Sequence, residues 1–517
     1  MSATARIRMR YALLIVLGVS AVACGARARP APPPDAPIDL APADALVRAG
    51  CYRCLLAAFD RYEQALGSRV VPEGAREKAF ATAVLLAMRE KEIGLEATPW
   101  LERASMLAAP DEGTYIDLVS RLPWTSPGIS VDFDPPRPFT PTAFEEWRLR
   151  VSPSHAILND YLSVAAVCSL GGGLDAATVR LVDLEVPIVR YRAGLCGQAQ
   201  RPFLEEVVAA DPGFAEASFF IGRYEMSLGV SPSGVGLVGS GREWLTRAVP
   251  PLSAAHDGLP DAPVVSIVFA GLMRARGELA RALALYDEAL ALRPAQRDAL
   301  LGRTITLTYL QRHEDAIATA TRMIELGTWH VGDAYYWRAW NGYRSGALET
   351  AAADIAAARR LQTNADVMLV SGMIAYDQKH PADARMDFER SLRMDSGKCA
   401  ARWYLGFLSV DEERWSDAVA SFAAAGDCYV GAADALRAEF GALPPDLPAE
   451  ARQQQTASYD ESIADSVGQA GRSFFNAAQA SVRIGDVASA AAYARSAAAY
   501  DSVKARAEGL LKDLERR

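Results

Sequence analysis

The chain has 517 residues, 50% of them hydrophobic, and a formal net charge of −9. That is more chain than one compact core serves, so several domains or a repeat array are expected. No run of Lys and Arg offsets the acidic balance, which excludes nucleic acid as an expected partner because its recognition needs a basic face.

The chain opens on an export pattern. Arg6, Arg8 and Arg10 make a positive start, and residues 11–22 form an apolar stretch too short to span a bilayer comfortably. The following Ala21-Val22-Ala23-Cys24 resembles a bacterial lipobox, with Ala in place of the commoner Leu. The resemblance implies that residues 1–24 are a lipoprotein signal peptide and that Cys24 is the lipid attachment site. Two or more acyl chains there would anchor the protein firmly. Gly25, where an Asp would favour inner-membrane retention, leans towards the outer membrane, facing the periplasm or exterior. Residues 25–43, with Pro32-Pro33-Pro34, read as an extended tether.

Beyond the tether, apolar residues recur at helical spacing and no segment reads as a series of strands. Residues 44–108 hold divergent helical repeats, with a helix pair expected around Gly94. Six prolines between 123 and 141 mark residues 109–152 as a long irregular insertion. Residues 153–260 return to divergent helical repeats. The stretch 203–227 reads as one repeat running into the next.

Residues 261–428 are regular. Small residues fall at Ala270, Ala282 and Ala289, and Pro294 closes that unit. The same columns hold Thr304, Ala316 and Met323; Ala339, Ala351 and Ala358; Gly372, Ala384 and Ser391; and Gly406, Ala418 and Ala425. The middle column advances by 34, 35, 33 and 34 residues. This pattern is similar to the tetratricopeptide repeat, in which two antiparallel helices approach closely where side chains are short. A further unit has Ala478, Ala490 and Ala497, 72 residues on from Ala418 at the middle column. A divergent helix pair is therefore expected over residues 429–466. Within 429–517, a polar final helix should cap the open end. The expected fold is all-α, an α-solenoid of stacked antiparallel helix pairs.

The resemblance implies a scaffold that binds a protein or peptide, not an enzyme, since this fold serves many partners. In such repeats the first helices line a concave groove. Carried onto this register, groove positions hold Tyr336, Trp340, Tyr343, Tyr376, Trp403 and Phe407. Tyr and Trp give large contact area at low entropic cost, although the same residues could pack between repeats. Solute or glycan capture at a cell surface is the alternative function, because aromatic platforms also stack sugars. The oligomeric state is open.

Six cysteines remain once Cys24 is set aside, an even number in a chain read as exported. By the repeat register Cys399 opens a first helix and Cys428 lies just past its antiparallel partner, so the two can bridge. Cys168 and Cys196 lie near turns and form a second candidate pair. Cys51 and Cys54 make a C-x-x-C. Leu55 replaces the His a c-type haem would need, and the βαβ setting of a thioredoxin-like site is missing, which leaves a local disulfide or two buried thiols. The five histidines, His155, His256, His313, His330 and His380, share no metal-ligand spacing, so no metal and no cofactor are expected. Gly234, Gly236 and Gly239 match G-x-G-x-x-G, but they follow a helix where the dinucleotide loop needs a strand. An enzyme using the insertion would show clustered acids around Asp132 and Asp134.

Overall fold

A computed structural model of the protein describes residues 37–122, 140–170, 174, 180–228, 243–327 and 331–516. Cys24 and the lipobox, most of the tether, the G-x-G-x-x-G segment, Asp132, Asp134 and His330 lie outside them. Among the described residues every regular element is helical, and no helix is long and apolar enough to cross a membrane.

The N-terminal half contains α1 (Ala41–Ala49), α2 (Tyr52–Leu66), α3 (Ala75–Glu92) and α4 (Thr98–Leu107). Helices α5 (Gly113–Arg121) and α6 (Pro141–Arg148) follow, then α7 (Ala156–Ser169), α8 (Pro187–Gly194), α9 (Arg201–Ala210), α10 (Ala215–Leu228), α11 (Glu243–Arg247) and α12 (Val249–Gly258). The helix pair expected around Gly94 is α3 and α4. The described ends of the insertion are helical, not irregular: they hold α5 and α6, and Pro141 at the first turn of α6 starts that helix, because the missing N–H there needs no partner. A charged cluster lies inside this half. Arg89 and Arg192 are fully buried, and both reach Glu92, while Arg89 also pairs with Glu216. The Tyr161 and Tyr191 hydroxyls donate to the Glu92 carboxylate. Two cations and two carboxylates compensate each other there, as buried charges require.

The regular array pairs α13 (Pro263–Arg276) with α14 (Leu279–Leu292), α15 (Arg297–Tyr309) with α16 (His313–Leu326), and α17 (Val331–Arg344) with α18 (Leu348–Leu361). It continues with α19 (Ala365–Asp377) and α20 (Pro381–Met394), then α21 (Cys399–Asp411) and α22 (Trp415–Gly441). Each small residue of the three columns is buried where its two helices meet, Thr304 and Met323 included. The turn between the two helices of a pair repeats as well. It places Gly277, Gln311, Gly346, Lys379, Glu413 and Gly485 in the left-handed region, one per repeat. First helices approach the first helices of neighbouring pairs, whereas second helices approach each other less. This bends the stack so that first helices line its inner side.

The expected pair over 429–466 is present in a different form. Helix α22 runs for 27 residues, beyond its repeat, and α23 (Ala449–Arg483) runs for 35. The second half of α23 is itself the first helix of the last repeat and pairs with α24 (Val487–Ala498). The inserted residues thus lengthen two helices into one antiparallel hairpin. Cys428 consequently lies inside α22, not past its end. The tip of the hairpin returns to the start of the array, where Asp446 accepts from Thr246 (2.7 Å) and pairs with Arg276 (3.2 Å). Helix α25 (Lys504–Glu515) covers the end, burying Ala507 and Leu514.

Candidate functional site: the inner aromatic face

Helix α17 presents Tyr336, Trp340 and Tyr343 because residues three and four apart share a face. Ala339, three residues from Tyr336 and four from Tyr343, is fully buried beside them in the same core. All three aromatics are half-buried, packed against the core that α17 shares with α18 and α19. The Trp340 and Tyr343 rings lie 6.3 Å apart. The Tyr343 hydroxyl donates to Asp377 at the end of α19, 2.7 Å away. Burial, then that hydrogen bond, push the Tyr343 hydroxyl above its ordinary pKa, so it stays a donor.

The contacts run on from repeat to repeat. Tyr376 meets Tyr404 edge-on at 5.1 Å, and Tyr404 stacks on the buried Phe388. Trp403 and Phe407 lie 4.9 Å apart, and both meet Phe422 edge-on. They also pack against Ala477 and Ala480 of α23. The structure therefore brings the six sequence-chosen residues into a ladder along adjoining first helices, not into one enclosed pocket. Each rung fills space between repeats and leaves part of its surface open. Tyr404, Asp377 and Asp411 belong to the same face and were not singled out by sequence. Tyr404 lies one residue after a groove position, and the two exposed carboxylates occupy the ends of α19 and α21. Only the contacts between repeats reveal them.

The remaining candidates separate from this face. Histidines 155, 256 and 313 are taken up by Glu112 (2.8 Å), Glu288 (2.9 Å) and Asn341 (2.8 Å). Among the described residues, one set of ligand types converges: Cys51, Cys54 and Asp211, with atoms all within 4.8 Å of one another. The six cysteines meet as Cys51 with Cys54, Cys168 with Cys196, and Cys399 with Cys428, with Cα separations of 4.9, 5.1 and 5.4 Å that suit bridging.

No family model matches the chain, and no curated protein does. Among solved structures it is similar to YrrB, described as a TPR protein with an unusual peptide-binding site, at 22% identity, 34% of this chain, 91% of that chain and a TM-score of 0.30. A tetratricopeptide repeat protein from Parabacteroides merdae is 14% identical over 49% of this chain and 93% of its own, with a TM-score of 0.31. The Cut9 and Hcn1 hetero-tetramer of APC/C is matched at 13% identity, 92% of this chain, 85% of that chain and a TM-score of 0.33.

Proposed function

We propose that the protein is a non-enzymatic scaffold, anchored through a lipid on Cys24 at the bacterial envelope, whose inner aromatic face gathers a protein partner. The observation that carries this reading is the half-open ladder of Tyr336, Trp340, Tyr343, Tyr376, Trp403 and Phe407. Rings already braced by neighbouring repeats lose little freedom on binding, which favours affinity. Asp377 and Asp411 at the edge of the ladder suit a peptide that joins apolar anchors to a basic residue. Disulfides Cys168–Cys196 and Cys399–Cys428 would brace the scaffold outside the cytoplasm.

The test is crosslinking in intact cells followed by mass spectrometry, with Trp340→Ala/Tyr343→Ala/Trp403→Ala beside the wild type. A partner captured by the wild type and lost in the variant supports scaffold and face together. Equal capture by both reduces the ladder to packing. Glycans or small solutes in place of a protein would move the protein to the solute-binding class. An N-terminal peptide with unmodified Cys24 would overturn the anchor.

A further inference from the structure

The C-x-x-C at residues 51–54 has no place in the aromatic face, and a βαβ setting is not what its chemistry requires. Exchange between thiols and disulfides needs a stabilised thiolate, an accessible sulfur and a proton carrier. The fold supplies all three. Cys51 is the N-cap of the 15-residue helix α2, and its Sγ accepts the Cys54 backbone N–H at 3.1 Å. A thiolate at Cys51 would sit where that helix concentrates positive charge. Cys51 is buried, whereas Cys54, on the same first turn, is partly open. Asp211, at the end of α9, has a carboxylate oxygen within 4.8 Å of both sulfurs. The Gly213 N–H holds its Oδ1 at 2.9 Å. The other carboxylate at this helix start, Glu216, accepts the Tyr52 N–H and is compensated by Arg89.

The other two cysteine pairs differ in kind. Cys168 with Cys196 and Cys399 with Cys428 span 28 and 29 residues and join separate segments, α7 to the turn just past α8 and α21 to α22. Cys51 and Cys54 are 3 residues apart within one turn and join nothing. A loop that short gives the least stabilisation through chain entropy.

We propose that Cys51–Cys54 is a thiol–disulfide exchange site that takes two electrons from a dithiol of a client protein. A client thiolate attacks Sγ of Cys54, the S–S bond breaks, and its electron pair leaves on Cys51, where the Cys54 N–H stabilises it. The second client thiolate then attacks the client sulfur of the mixed disulfide and expels the Cys54 thiolate, which is protonated by way of Asp211. The client dithiol is oxidised to a disulfide, losing two electrons and two protons. The electrons reduce Cys51–Cys54. One proton ends on Cys54, and the other passes to solvent while Cys51 remains a thiolate.

The test uses the purified full chain in graded mixtures of reduced and oxidised glutathione, with thiols alkylated and mapped by mass spectrometry. Cys51–Cys54 is expected to be reduced at an equilibrium constant at least tenfold more favourable than the other two pairs, about 30 mV for each factor of ten. The oxidised protein should also oxidise a synthetic two-cysteine peptide. Cys51→Ser should accumulate a mixed disulfide on Cys54, formed when the peptide, activated as an aromatic mixed disulfide, is offered to it. Ser is itself a good N-cap, so the fold survives the change. Asp211→Asn should slow peptide oxidation at neutral pH without shifting the unfolding midpoint. Three results each overturn the proposal: equal resistance of all three pairs, no oxidation of the peptide, or unchanged oxidation by Cys51→Ser/Cys54→Ser.

Discussion

The packing of single atoms decides which residue each repeat carries at its closest approach. In the repeats built on α19 and α21 the first column holds Gly372 and Gly406, and each faces an aromatic ring 16 residues on, Phe388 and Phe422. A Cβ on Gly406 would stand 2.5 Å from Phe422 Cε1. That ring is held by Trp403 and Phe407, both edge-on to it, so it has nowhere to retreat. Gly406→Ala is therefore expected to destabilise the last repeats by about 1–3 kcal/mol, the usual range for overpacking. Urea unfolding followed by tryptophan fluorescence measures it. Phe422→Leu in the same chain should recover part of the loss, and equal stability of Gly406→Ala and wild type would show that the ring has room. The sequence marked Gly406 as a small residue but not its partner, although the constant spacing of 16 carries that information. The left-handed turns were legible only where Gly occupies them: Gln311, Lys379 and Glu413 hold the same conformation without announcing it.

Helix ends are the next scale at which chemistry and fold meet. The Lys91 ammonium of α3 donates to the Val119 carbonyl at 2.6 Å and the Leu122 carbonyl at 2.8 Å. These lie at the C-terminus of α5, where carbonyls lack helical partners and the dipole favours a cation. Burial nevertheless pushes the Lys91 pKa down to about 8 from its ordinary 10.5. Between those values the unfolded chain holds a proton that the folded chain has released, so raising the pH through that window adds stability. Relative to Lys91→Met, the wild type should gain up to about 1.4 kcal/mol per pH unit between pH 8 and 10. A difference independent of pH would mean that the two carbonyls keep the lysine at its ordinary value. Elements with strong local punctuation were the ones sequence could place. The array register follows from short residues at fixed steps, and all of those residues are buried. The hairpin was visible only as an overlong step before Ala490. Its inserted residues are helix formers without caps at the repeat boundaries, so they extend α22 and α23 and form no new pair. The cluster of Arg89, Glu92, Arg192 and Glu216 joins residues as far as 127 apart, which no local pattern encodes.

At the scale of the whole molecule the hairpin changes what a solenoid can do. An open stack transmits contacts only between neighbours, but here the end of the array is tied to its beginning. The tie combines polar contacts with the buried Pro444, Leu447 and Ala451 of the tip. Asp446 binds Thr246 and the buried Arg276, and the side chain of Gln455 lies over Gly277, where any Cβ would collide with it. Helices of 27 and 35 residues, about 40 and 52 Å long, act on that contact as levers. The three buried apolar residues of the tip are fewer than any repeat buries, so the tip should open at lower free energy than the repeats unfold. Burial tends to raise the Asp446 carboxyl, but Thr246 and Arg276 outweigh it and hold the pKa below the usual carboxylate range. The tie is thus complete above the ordinary carboxylate pKa of about 4 and is lost as the pH falls through the lowered value. Asp446→Ala/Gln455→Ala should release the tip at neutral pH. Small-angle scattering would then report a larger radius of gyration while circular dichroism keeps the helical signal. Acidifying the wild type should move its scattering towards that of the variant before helicity falls. Identical scattering from variant and wild type would show that these contacts do not hold the ends together, and that the solenoid keeps its curvature through repeat packing alone.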